Sequence, residues 1–253
     1  MRIAIRLLTV IALFVGATLA GAEEAQIAVA ANFNGPMKVI IEMFEAKTGH
    51  RVIASYGSTG KLYAQIKNGA PFGALLAADQ ARPLLLVDEG MAVPDSRFTY
   101  AVGSLVLWSA DADAVEDGPA LLKAGSFKRL AIANPKLAPY GAASLQTLEH
   151  LGIMEAVEPK IVMGENIAQT YQFVDSGNAE VGFVALSQVM TDGAINKGSG
   201  WIVPENMHDP ISQDAVVLQS GAGNPAISEL FAFLRGGKAR AVIHDFGYGT
   251  VDE

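Results

Sequence analysis

The 253-residue chain contains no cysteine, which excludes disulfides and thiolate metal sites. Histidine is nearly as scarce. His50, His150, His208 and His244 stand far apart, without the close spacings that metal ligation uses, so no metal site is expected. Neither Ser144 nor Ser187 sits in a G-x-S-x-G elbow, which speaks against a serine hydrolase. Only two tryptophans occur, Trp108 and Trp201, and both read as core or lobe-interface residues rather than sugar platforms. Positive charge is short as well. Lys and Arg total 18 against 26 Asp and Glu, a balance that argues against nucleic acid and anionic membrane as partners. The same balance means that long-range electrostatics do not attract an anionic ligand, so any anion must be held by local dipoles. Beyond residue 22, no apolar run approaches the ~20 residues of a membrane-spanning helix.

What is present begins with an export signal. Arg2 and Arg6 precede an apolar run from Leu7 to Leu19, and Ala20-Gly21-Ala22 forms a small-x-small cleavage site. Residues 1–22 are therefore expected to be removed. Losing Arg2 and Arg6 takes the 18 basic residues to 16, and the formal charge from −8 to −10.

The stretch around which the chain is organised runs from Val52 to Ile66. An apolar strand ends in Gly57-Ser58-Thr59-Gly60, and a helix follows with Leu62 and Ile66 on one face and Gly69 as its stop. Two hydroxyls and several free backbone N–H groups thus meet at a helix N-terminus, a natural place for an anion. Gly60-Lys61 does not make a nucleotide-binding P-loop. Ser55 stands where that pattern needs glycine, and Leu62 where it needs Ser or Thr. Plain N-capping by Ser58 or Thr59 is the simpler alternative, but the same strand–polar turn–helix arrangement recurs.

Gln26 to Ala30 reads as a strand, and Pro36 opens a helix with the stripe Met37, Ile40, Ile41 and Phe44, closed by Gly49. Ala74 to Ala78 is a strand leading to Asp79 and a helical segment. Thr99 to Gly103 is the first passage between two lobes, and Ser104 to Trp108 is a strand. Arg129 to Ala133, Lys160 to Met163 and Val181 to Val184 are further strands. A helix with Leu145, Leu148 and Leu151 inward follows the turn Ala138-Pro139-Tyr140-Gly141. Another follows Asn166 and Gln169, which are spaced as a capping box. A helix is expected from Ala185 onward. Asp214 to Leu218 returns to the first lobe, Asn224-Pro225 starts a helix, and a last helix covers Lys238 to Phe246. Asp79 and Asp214 read as caps, and the methionines as packing. Strands alternating with helices imply an α/β protein of mostly parallel sheets. Its lobes, 23–101 with 213–253 against 102–212, are joined by two crossover strands that form a hinge over a cleft.

Four strand-to-helix turns share one chemistry: Ala31-Asn32-Phe33, Ser58-Thr59-Gly60, Pro139-Tyr140-Gly141 and Asn166-Ile167-Ala168. In parallel sheets such turns lie at the carboxyl ends of strands, where ligands bind. Together they offer backbone N–H groups, one amide and one or two hydroxyls, with almost no ionisable group. An amino acid needs a carboxylate for its ammonium group, and a protonated phosphate needs an acceptor. A fully deprotonated tetrahedral dianion needs only donors.

Several motifs recur together: Ala30-Ala31-Asn32-Phe33, and Gly57-Ser58-Thr59-Gly60 with the following Tyr63-Ala64-Gln65-Ile66 and Asn68-Gly69-Ala70-Pro71. Ala77-Ala78-Asp79, Asn134-Pro135 with Ala138-Pro139-Tyr140-Gly141, and Val181-Gly182-Phe183-Val184-Ala185 join them. From Gln26 to Tyr248 the chain resembles the periplasmic molybdate-binding proteins of ABC transporters. The resemblance implies a two-lobed periplasmic binding protein of type II that takes up molybdate, and usually tungstate, for an inner-membrane permease. It implies no enzyme activity, no cofactor and a monomer. Matching positions place the oxyanion contacts on Asn32, Thr59, Tyr140 and Ile167, the last two mainly through backbone N–H, with Ser58 a neighbour. Ala31 and Ala185 stand where other members carry hydroxyl donors. Sulfate or another tetrahedral oxyanion is the alternative ligand, and a secreted esterase or phosphoryl-transfer enzyme a remote one. Glu165 borders one turn.

Overall fold

A computed structural model describes residues 21–191 and 193–249. All of the expected export signal except Gly21 and Ala22 lies outside the described residues. Strands β1 (Glu24–Ala30), β2 (Arg51–Gly57), β3 (Ala74–Leu76) and β4 (Phe98–Gly103) build a first sheet. The chain then enters a second sheet through β5 (Leu105–Ser109), β6 (Leu130–Ala133), β7 (Ile161–Gly164) and β8 (Val181–Ala185). A short pair, β9 (Met190–Thr191) and β10 (Ala194–Ile195), and the edge strand β11 (Ser199–Ile202) follow, and β12 (Ile211–Val217) returns to the first sheet. The strand orders are β2-β1-β3-β12-β4 and β11-β5-β8-β6-β7. In each sheet three neighbouring strands are parallel: β1 with β2 and β3, and β6 with β7 and β8. The strands at the crossovers, β4, β5 and β12, pair antiparallel. The chain therefore passes between the sheets twice, and both form one mixed, two-lobed α/β architecture.

The helices are α1 (Asn34–Thr48), α2 (Thr59–Lys67), α3 (Ala81–Asp88), α4 (Gly118–Ala124), α5 (Pro139–His150), α6 (Met154–Val157), α7 (Ile167–Asp175), α8 (Pro225–Leu234) and α9 (Gly237–Asp245). In α1 the expected stripe is buried at Met37, Ile40 and Phe44, with Ile41 half-buried. The helix stops because Gly49 adopts φ 76° and returns its N–H to the Glu45 carbonyl. Phe44 packs edge-on against Phe233 of α8, ring centroids 5.8 Å apart, inside a core that joins α1, α8 and α9 to β1. The second lobe has its own core around Leu105, Leu130, Ile132 and Phe183. Trp108 is fully buried in a separate cluster with Val106 and Val184, donates to the Lys197 carbonyl at 2.8 Å and stacks on Tyr171. Trp201 is half-buried beside Gly118.

The structure departs from the sequence reading in three places. Beyond Ala185 there is one 3-10 turn, Leu186–Gln188, and then the β9–β10 pair. Gly193 and Gly198 adopt φ 79° and 69°, which breaks any helix, and Leu186 and Val189 pack inward near Trp108. Helices α4 and α6 and strand β11 are additions to the elements read from the pattern. Asp117 caps α4 through its side chain, a short-range signal weakened by the polar residues around it. Asp214 is no cap. It lies within β12, fully buried, pairs with Arg97 and accepts from the Thr99 hydroxyl at 2.6 Å.

Candidate functional site

The carboxyl ends of β1, β2, β6 and β7 converge. Asn32, Ser58, Thr59, Tyr140 and Ile167, the five residues singled out from the sequence, line one cavity of about 10 Å³, room for the centre of one water-sized sphere. All five are buried, between 1% and 4% exposed. Four segments distant in sequence are thus brought to one point, two from each lobe. Among the described residues, no Lys, Arg, His, Asp or Glu lines the cavity.

Ser58 precedes α2 with an extended backbone, and its side chain makes no capping bond. Its Oγ is buried without any hydrogen-bond partner. An orphaned buried hydroxyl costs roughly 1–3 kcal/mol, so the simple capping role is replaced by a donor held ready for an acceptor. Thr59 Oγ1 accepts the Ala78 N–H at 2.9 Å, and this leaves its own O–H to donate. The first turns of α5 and α7 supply the backbone N–H groups of Tyr140 and Ile167. Such groups have no acceptor one turn back, and none of the cap and loop hydrogen bonds of the described residues uses them. Asn166 orders the start of α7, its Oδ1 accepting from Ala168 N at 2.9 Å and Gln169 N at 3.0 Å. Gln169 accepts from Glu165 N, one residue earlier than in a strict capping box.

Asn32 lines the cavity differently from expectation. Its Nδ2 donates to Gln213 Oε1 at 2.8 Å and to the Tyr248 hydroxyl at 2.9 Å, so both amide protons are engaged away from a ligand. What it can offer the cavity is its backbone N–H, in the turn that follows β1. Burial, and then the neighbouring Tyr248 and Tyr100, push the Tyr140 phenol well above its ordinary range. Burial raises Tyr248 to about 12. Both phenols stay neutral, so neither opposes an anion.

The lobes touch beside this cavity. Gly60 N donates to the Leu137 carbonyl of the other lobe at 2.9 Å, and a Cβ on Gly60 would lie 3.0 Å from Leu137 Cα. Outside, Lys61 and Glu165 form an exposed pair across the mouth at 3.2 Å. Ala31 lines the cavity without a side-chain donor. Ala185 is buried, its N–H given to Gln188 Oε1, while Gln188 Nε2 donates to the Ile167 carbonyl. Sequence reasoning missed Gln213, Tyr248 and Gln188, because no local pattern marks a residue whose structural role is set by partners remote in the chain.

A family model described as bacterial extracellular solute-binding protein matches residues 25–249. The chain belongs to that family. Relatives of this solute-binding protein include the molybdate-binding protein ModA of Azotobacter vinelandii, 57% identical over 92% of each chain. The protein of the same name from Rhodobacter capsulatus is 49% identical over 96% of this chain and 95% of its own. The solved periplasmic molybdate-binding protein of Azotobacter vinelandii matches with a TM-score of 0.87 at 38% identity, over 90% of this chain and 100% of its own. The resemblance drawn from the motifs is borne out by these relatives, and the two-lobed type II fold with it.

Proposed function

We propose that this solute-binding protein captures molybdate, and tungstate in the same way, in the periplasm and hands it to the permease of an inner-membrane ABC transporter. It works as a monomer, with its lobes divided as 23–101 plus 213–253 against 102–212. Its ligand is cargo rather than a cofactor, and no covalent step is needed. The observation that carries this reading is the cavity between the lobes, whose lining among the described residues is neutral throughout and includes Ser58 with its orphaned hydroxyl. In this reading the hydroxyls of Ser58 and Thr59 and the backbone N–H groups of Asn32, Tyr140 and Ile167 surround the ion, reinforced by the N-terminal dipoles of α2, α5 and α7. A dianion meets donors on every side and no carboxylate. The high identity to proteins named for molybdate supports the choice of ion.

The test is a thermal-shift and calorimetric panel of molybdate, tungstate, sulfate and phosphate on the mature chain. A ligand at a hundred times its dissociation constant adds about 2.7 kcal/mol of stability. Molybdate and tungstate are expected to raise the melting temperature at micromolar concentration, and sulfate and phosphate to fail there. A larger shift with sulfate would transfer the reading to the other tetrahedral oxyanion. Turnover of phosphate or carboxyl esters would transfer it to an enzyme.

A further inference from the structure

Molybdate and sulfate carry the same charge, so a cavity of neutral donors can tell them apart only by size. Its size depends on how closely the two lobes approach, and near the cavity their walls are joined by hydrogen bonds. There, Gln213 is fully buried within β12, beside the register shift that separates it from Asp214. Its Oε1 accepts from Asn32 Nδ2 at 2.8 Å and from the Tyr100 hydroxyl at 3.1 Å, and its Nε2 donates to the Tyr140 hydroxyl at 3.3 Å. Asn32 belongs to one wall of the cavity and Tyr140 to the other. One amide side chain therefore spans the gap between the two walls.

The surroundings leave this span little room to shift. Gly103 stands at the end of β4, one residue before the crossover into the second lobe, and a Cβ there would overlap the Tyr140 hydroxyl. Ser187 of the second lobe donates to the Asn32 carbonyl at 3.0 Å and lies 3.0 Å from the Tyr248 hydroxyl, which ties the same wall from the other side. Each member is buried and hydrogen-bonded, the condition under which a polar network holds one geometry.

We infer that Gln213 is the spacer that sets the width of the oxyanion cavity and thereby decides which tetrahedral dianion the closed protein prefers. The inference rests on the oxyanion-capture reading and extends it to selectivity. Gln213 touches no ligand; it acts through Asn32 and Tyr140. A side chain one methylene shorter lets the walls come together and favours the smaller ion.

The test measures dissociation constants of molybdate and sulfate by calorimetry for the wild type, Gln213→Asn, Gln213→Met and Tyr140→Phe, with melting temperatures of the free proteins beside them. The expected result is a fall of at least tenfold in the molybdate-over-sulfate preference of Gln213→Asn. Smaller falls are expected for Gln213→Met, which keeps length but loses the hydrogen bonds, and for Tyr140→Phe, which leaves the Gln213 side chain in place but removes the acceptor of its Nε2. A residue that merely supported the fold would weaken both ions alike and leave the ratio unchanged. An unchanged ratio in Tyr140→Phe and in whichever Gln213 variants fold overturns the inference while leaving the proposed function standing. A wild type that bound no oxyanion would overturn both.

Discussion

Ser58 and Asn32 stand out in the sequence on similar grounds, as polar residues at strand-to-helix turns, yet the structure puts them to opposite uses. Asn32 spends its side-chain protons inside the protein, whereas Ser58 spends none. Removing the Ser58 hydroxyl should therefore have two effects of opposite sign. In Ser58→Ala the unliganded protein should be unchanged or more stable by up to about 1–3 kcal/mol, because the orphaned group is gone. Molybdate affinity should fall about tenfold. Denaturant titration of the free protein together with calorimetry of the complex reads both, and a loss of stability in the free protein would show that Ser58 is a structural cap. That both turns line one cavity agrees with what the residue types suggested. Which donors are free was not, because Gln213 and Tyr248, the partners of Asn32, lie 181 and 216 positions away.

Among the elements, α2 carries a close approach between the lobes. Its second residue must be small, since Leu137 of the other lobe sits where a side chain would begin. Alanine in a helix is favoured over glycine by roughly 0.5–1 kcal/mol, so Gly60→Ala should fold at least as well as the wild type. It should bind molybdate several-fold more weakly, because closure meets a Cβ 3.0 Å from the Leu137 backbone. Small-angle scattering of the liganded variant should show a larger radius of gyration than the liganded wild type. Identical scattering and affinity would remove the Gly60–Leu137 contact from the closing interface. The Lys61–Glu165 pair beside it is exposed on both partners, and such pairs contribute only about 0–1 kcal/mol. Periodicity made α1, α5 and α8 legible, since their apolar faces repeat along a single helix. The segment after Ala185 was not legible, because the turn glycines Gly193 and Gly198 and the packing against Trp108 override local helical preference there.

At the scale of the whole molecule, two cores of comparable build face each other across a buried polar seam that contains three tyrosine hydroxyls. Burial raises the phenols of Tyr100, Tyr140 and Tyr248, the last to about 12. A group whose folded value lies above its unfolded one contributes stability that is complete below the unfolded value and is lost as pH rises toward the folded one. For Tyr248 that window runs from the unfolded value of 10.0 to about 12. Across that window the loss amounts to on the order of 3 kcal/mol. The melting temperature should therefore hold level from about pH 7 to 9 and fall steeply above about pH 10, less steeply in Tyr248→Phe. A Tyr248→Phe profile parallel to the wild type would mean that the seam opens before the phenol titrates.

The amino-acid sequence by itself determined the alternation of strands and helices, through hydrophobic period and turn residues. It also pointed to a fully ionised oxyanion as the class of ligand to propose, because donors without cations or carboxylates suit a dianion. Tertiary structure decided which of those donors remain unsatisfied and how far apart they stand. Both depend on contacts between residues remote in the chain, and a hydrogen bond such as that from Gln213 to Tyr140 exists only once two lobes have folded and met.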